Sequence, residues 1–266
     1  MLGYKDLWDC SVGGEDTSRE MTHWCGNLLW VVIGVLCKIL WRYKTKGLEK
    51  LRALKGKTGV VLVGNHASYF DVVFGYLTVR TQQWVRFMAK DDLFTKLNGL
   101  SGQIIGRVGA FPITRDSADR TALKRAARML KNKEVVGIFP EGTRRGKGNV
   151  EPRIHAGAAL IARMGKAPMM PFTVHRVDEL KMKGHLPHFM QITVEFGDPV
   201  YLEWFDFLPK EDRLEACTWY VMRQCFAMKQ HVPADQVDMA ALFPNDRDFS
   251  EVFAQHSVGL DVQAGE

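Results

Sequence analysis

The chain is 266 residues long, with 46% hydrophobic and 25% charged residues and a formal net charge of +6. That composition excludes a disordered, collagenous or disulfide-framework protein. Residues 195–266 carry 14 acidic and 5 basic residues, a net −9, so residues 1–194 carry +15. An anionic partner is expected for that first part: nucleic acid, membrane or a phosphorylated substrate.

Residues 1–23 are polar and lack the basic start and small-residue cleavage site of a signal peptide. From Trp24 to Trp41 the text changes, with an unbroken apolar run over Leu28–Cys37 and tryptophans at 24, 30 and 41. Eighteen helical residues reach about 27 Å, against a hydrocarbon core of about 30 Å. A short spanning helix, an interfacial anchor and a buried core helix all fit this length, and the flanking tryptophans favour membrane contact. The next stretch places Arg42, Lys44, Lys46, Lys50, Arg52, Lys55 and Lys57 against Glu49 alone. It reads as a juxtamembrane contact with anionic lipid, the main domain being cytoplasmic, or as a solvated basic linker.

Beyond residue 58, strand-like runs at Thr58–Val63, Trp84–Ala89, Ile104–Ile113, Glu134–Phe139, Met169–Val174 and Gln191–Phe196 alternate with helical patterns. The clearest helices are predicted over Ser117–Lys131, Ile154–Met164 and Lys210–Lys229. This order predicts an α/β fold: a single, largely parallel sheet flanked by helices, preceded by the apolar membrane-anchoring helix. Arg120, Lys124, Arg128 and Lys131 form a basic stripe, read as a solvated face or a binding surface. Cys217 and Cys225 follow the core period of the last helix, and the five cysteines contain no C-x-x-C, as expected in a reduced compartment. Three segments are expected: an N-terminal stretch and anchor (1–45), an α/β catalytic domain (46–210), and a C-terminal helix with an acidic tail (211–266).

Several motifs fail. Gly56-Lys57-Thr58 lacks the upstream glycine of a phosphate-binding loop and precedes a strand instead of following one. Gly99-Leu100-Ser101-Gly102-Gln103 misses a nucleophile elbow at its last position. His185 and His188 have no evident third ligand, so no metal site is assigned.

After the first strand the chain reads Gly64-Asn65-His66-Ala67-Ser68-Tyr69-Phe70-Asp71. His66 and Asp71 point about 140° apart on a regular helix, so they meet only if His66 lies in the loop and Asp71 in the first helical turn. Ser68 as N-cap puts Asp71 at the third helical position. This spacing admits a capping box, or a carboxylate that fixes the His66 tautomer and leaves its other nitrogen as a base. Two later strands end in Gly109-to-Arg115 and in Phe139-Pro140-Glu141-Gly142-Thr143-Arg144-Arg145. Ligands of open α/β sheets bind beyond the carboxyl ends of the strands, so these segments should converge near His66.

These blocks, with Ala167-Pro168-Met169-Met170-Pro171, resemble the glycerolipid acyltransferase family typified by 1-acylglycerol-3-phosphate acyltransferase, over roughly residues 45–210. The resemblance implies transfer of a fatty acyl group from acyl-CoA or acyl-carrier protein to a lysophospholipid hydroxyl, with no cofactor. The acceptor it favours is 1-acylglycerol-3-phosphate, giving phosphatidic acid; another lysophospholipid or glycerol 3-phosphate is the alternative. It further implies His66 as base and Asp71 as its orienting partner, Arg115 on the acceptor phosphate helped by Lys90, and an acceptor site shaped by Glu141, Gly142, Thr143 and Arg144. The competing reading, a basic peripheral membrane- or nucleic-acid-binding domain, lacks any helix-turn-helix or RNA-recognition signature, and no nucleic-acid partner is expected.

Overall fold

The computed structural model describes residues 3–81, 83–114, 119–142, 151–180 and 190–259. A single helical turn, α1 (Tyr4–Leu7), precedes the apolar α2 (Trp24–Trp41), β1 (Lys44–Lys46), α3 (Leu48–Leu54), β2 (Val60–Gly64) and α4 (Tyr69–Val79). Next come β3 (Val85–Lys90), α5 (Asp92–Thr95), α6 (Leu100–Arg107), β4 (Phe111–Ile113), α7 (Arg120–Lys131) and β5 (Val135–Ile138). They are followed by α8 (Gly157–Gly165), β6 (Met169–His175), β7 (Thr193–Phe196), α9 (Arg213–Gln230), α10 (Met239–Leu242) and α11 (Ser250–Gln255).

The strands form one sheet in the order β1-β7-β6-β2-β5-β3-β4. Every pairing is parallel except β6 with β7. This is the single, largely parallel sheet with flanking helices that the alternating pattern predicts. All five residues of β2 are buried, as expected of a central strand covered on both faces. Val61 and Val63 pack with the α7, α8 and α9 side, Val60 and Leu62 with the side that holds Leu51, Phe74 and Leu77.

Two expectations are corrected. Only Phe111–Ile113 of the predicted Ile104–Ile113 strand is extended, and Ile104 sits in α6. There α6 packs on α1 and α5 with Ile104 turned outward, so tertiary packing overrides a β-branched pair. The basic stretch after α2 is no open linker either. Lys44–Lys46 pairs in register with Thr193–Glu195 at the sheet edge, where exposed lysines discourage further pairing. Lys46 Nζ lies 2.5 Å from Glu195 Oε1, and Lys50 Nζ 2.7 Å from Asp198 Oδ2.

Helix α2 is, among the described residues, the one helix long and apolar enough to cross a membrane. It is docked along one side: Gly26, Cys37 and Trp41 are buried, and Trp30 Nε1 donates to Leu77 O of α4 at 3.0 Å. Its other side leaves Leu28, Val31, Val32, Val35, Leu36 and Ile39 exposed.

Residues ahead of α2 are held by a buried arginine. Arg86 of β3 donates to the backbone carbonyls of Leu7, Trp8, Cys10 and Gly109, and its guanidinium lies 3.4 Å from Glu134 Oε2. At the other end, Phe243, Phe249 and Phe253 join Trp219, Tyr220 and Phe226 of α9 in the core. Cys217 and Cys225 are buried packing residues as their period predicts, and burial pushes both thiols up.

Candidate active site

Strand β2 delivers the chain into the site through Gly64, where a Cβ would sit 2.4 Å from the Phe172 ring on neighbouring β6, so only glycine fits. The next residue, Asn65, is buried and its Oδ1 accepts from Thr173 Oγ1 at 2.8 Å. Behind this turn Cys225 Sγ donates to Val63 O at 3.3 Å. Asn65 thus ties the loop carrying His66 to β6, while α9 holds the end of β2 that leads into it.

Ser68 caps α4 and Asp71 stands at the third helical position, as the spacing predicts. Asp71 Oδ2 accepts from Ala67 N at 2.8 Å and Ser68 N at 2.7 Å, and His66 Nδ1 lies 3.2 Å from the same oxygen. Capping and tautomer control are therefore not alternatives, because one buried carboxylate oxygen serves both. An ionised carboxylate only accepts, so the facing Nδ1 is the donor and the lone pair falls on Nε2. The His66 side chain is 11% exposed and that of Asp71 1% exposed, which leaves the imidazole reachable and its partner sealed.

The chain after β5 closes the other side. Phe139 stacks on His66 with ring centroids 4.2 Å apart and planes 20° from parallel. Glu141, buried, accepts from His66 N at 2.8 Å. Gly142 has φ +64°, the left-handed region, and its N–H donates to Phe139 O at 3.0 Å. So β2 and β5 bring His66, Asp71, Glu141 and Gly142 together beyond their carboxyl ends. Lys90 ends β3, on the far side of β5 from β2, with its Nζ 2.9 Å from Asp92 Oδ2. Arg115, Thr143 and Arg144 lie outside the described residues, as do His185 and His188.

Sequence reasoning assigned no role to Phe139 or Thr173. Phe139 stands in a motif already singled out, where its position at a strand end beside Pro140 is the available signal. Thr173 lies 108 residues from the asparagine it holds, and no local signal marks it.

Comparison with known proteins bears on the family of this chain. A family model described as "Acyltransferase" matches residues 42–175, half of the chain. The 1-acyl-sn-glycerol-3-phosphate acyltransferase of Bacillus subtilis (strain 168) is 30% identical over 201 residues, covering 74% of this chain and 92% of that protein. The protein of the same name from Streptococcus pneumoniae is 33% identical over 141 residues, 53% of this chain and 49% of that one. The crystal structure of the 1-acyl-sn-glycerophosphate (LPA) acyltransferase PlsC from Thermotoga maritima covers 70% of this chain and 72% of its own, at a TM-score of 0.49 and 21% identity. The family match contains both strand-end segments that build the site, and the chain belongs to the acyltransferase family, as an enzyme of the 1-acylglycerol-3-phosphate acyltransferase type.

Proposed function

We propose that this enzyme transfers a fatty acyl group from acyl-CoA or acyl-carrier protein to the free hydroxyl of 1-acylglycerol-3-phosphate, forming phosphatidic acid, with His66 as general base. The observation that carries the reading is the His66–Asp71 pair, a partly buried imidazole whose Nδ1 is held by a sealed carboxylate. The acceptor follows the printed names of the relatives. Nε2 takes the hydroxyl proton as the oxygen attacks the thioester carbonyl. The tetrahedral centre then collapses, the C–S bond breaks, and the thiolate leaves with the proton from His66. A thioester is activated enough to need no covalent enzyme intermediate, and general acid–base help of this kind is worth about 10²–10⁴-fold. Arg115 and Arg144 supply charge for the acceptor phosphate, with Lys90 at the neighbouring strand end, while Glu141, Gly142 and Thr143 shape the pocket.

Residues 46–210 form the catalytic unit in this reading. The outer face of α2 lies in the membrane with the catalytic domain on the cytoplasmic side. Exposed Arg42, Lys44, Lys55 and Lys57 face anionic headgroups there.

The test is a panel of acceptors with a labelled acyl-CoA, read as thiol release and labelled product, with His66→Ala alongside. Phosphatidic acid should be the main product, and His66→Ala should lower turnover by at least about 10²-fold with an unchanged melting temperature. A folded His66→Ala enzyme of near-normal turnover overturns the base assignment. Preference for another acceptor overturns the substrate.

A further inference from the structure

At the same end of the sheet, on the α9 side, lies a second cluster that the acyl-transfer site does not use. His175 ends β6, Glu195 lies in β7, and His231 is the C-cap of α9 in the left-handed conformation, φ 58°. His175 Nε2 lies 2.8 Å from Glu195 Oε2, both residues are buried, and the His231 ring stacks on His175 with centroids 4.7 Å apart. One ligand atom from each of the three lies within 4.8 Å of the others.

We propose that His175, Glu195 and His231 form a binding site for one divalent transition-metal ion of the zinc class. Zinc–nitrogen and zinc–oxygen bonds are about 2.0–2.2 Å, and donors around a tetrahedral ion therefore sit about 3.4 Å apart. The observed spacing brackets that value, so small side-chain rotations bring the three atoms onto one ion. His231 is exposed and free to turn from its stacked pose, while His175 and Glu195 are held by the strand pair β6–β7. Two imidazoles and a carboxylate select zinc-like ions over magnesium or calcium, which prefer all-oxygen shells.

The Lys46 ammonium now on Glu195 Oε1 is 69% exposed at its side chain. It can stay on that oxygen or swing into water when an ion takes Oε2. The ligands come from two strands and a helix end, so a bound ion clips the close of α9 onto the antiparallel pair β6–β7. Glu195 and His231 border a cleft shared with Gln224, Met228 and Val232, from which water can complete the shell of a bound ion.

The test uses the full chain without an affinity tag, stripped with chelator and titrated with Zn²⁺ by calorimetry, with thermal melting in parallel. Wild type should bind one equivalent and melt about 5 °C higher at a hundredfold excess over Kd. The His231→Asn variant keeps a residue that tolerates the left-handed conformation. It should melt like wild type without metal and lose both the binding and the rise. Glu195→Gln should also lose them. Absence of saturable binding to wild type overturns the proposal, and so does unchanged binding to a folded His231→Asn protein.

Discussion

Around His66 the imidazole is held on two sides, by Asp71 Oδ2 at its edge and by the Phe139 ring across its face. Edge and face restraint together fix both rotation and tilt, which is what a base needs before its substrate arrives. Asp71 Oδ2 serves capping and chemistry together, so only the Ser68 side chain lets capping be tested alone. Ser68→Ala removes the N-cap side chain alone and should lower stability by about 1 kcal/mol in urea unfolding, leaving turnover near wild type. Asp71→Asn keeps an acceptor oxygen but removes the charge that stabilises the protonated imidazole. It should lower kcat at least about tenfold in a thiol-release assay, with a smaller change in melting temperature than its loss of rate implies. The position of Asp71 was readable from local spacing because helix geometry leaves one solution for a His and an Asp five apart. The partnership of Asn65 with Thr173 was not, since it is made across strands by residues far apart in sequence.

Among the elements, central strands were the easiest to read. β2 and β5 are short, wholly buried apolar runs that a two-sided parallel sheet demands. β1 escaped because its register comes from β7 and not from its own Lys-Thr-Lys text, and α6 escaped because neighbouring helices decide its conformation. Gly64 tests how tightly β2 and β6 are joined. Gly64→Ala drives a methyl into the Phe172 ring and should destabilise the protein by about 1–3 kcal/mol, seen as a lower urea midpoint with unchanged slope. Helix α2 tests the membrane role. Val32→Asp with Val35→Asp charges its outer face without touching the side against α4. Flotation with anionic phospholipid vesicles should fall sharply, while secondary structure by circular dichroism stays constant. Retained flotation would remove α2 from the anchoring role.

For the whole molecule, the charge asymmetry of the sequence has a partly internal answer. Lys46 and Lys50 of the basic part meet Glu195 and Asp198 of the acidic part, so some of the +15 is answered within the fold. The basic stripe of α7 is similarly engaged at one position, where Arg128 joins Arg125 in binding Asp9. Hydrogen bonding from Arg125, reinforced by Arg128, holds the Asp9 carboxyl down to about 2 against its ordinary 3.8, with burial opposing them. A depressed carboxylate contributes stability above its unfolded pKa and loses it as pH falls through the folded one. The hold of residues 4–21 on α7 should therefore weaken between about pH 4 and pH 2. Trp8, whose ring lies under Arg125, reports this by fluorescence. A flat signal across that window would contradict the coupling. The C-terminal aromatics Phe243, Phe249 and Phe253 pack onto α9 from short elements, Phe253 standing on α11 one turn after its N-cap Phe249.

The carbonyl-binding arginine of β3 carries a consequence for synthesis. Leu7, Trp8 and Cys10 find their common donor only after residue 86 has been made, 76 to 79 positions later. Chain ends that depend on such distant partners close late. Helix α2 is thus synthesised before β3, and the segment ahead of it stays untethered until residue 86 is in place. Apolar surface left open in this way is the kind that aggregates before a domain closes.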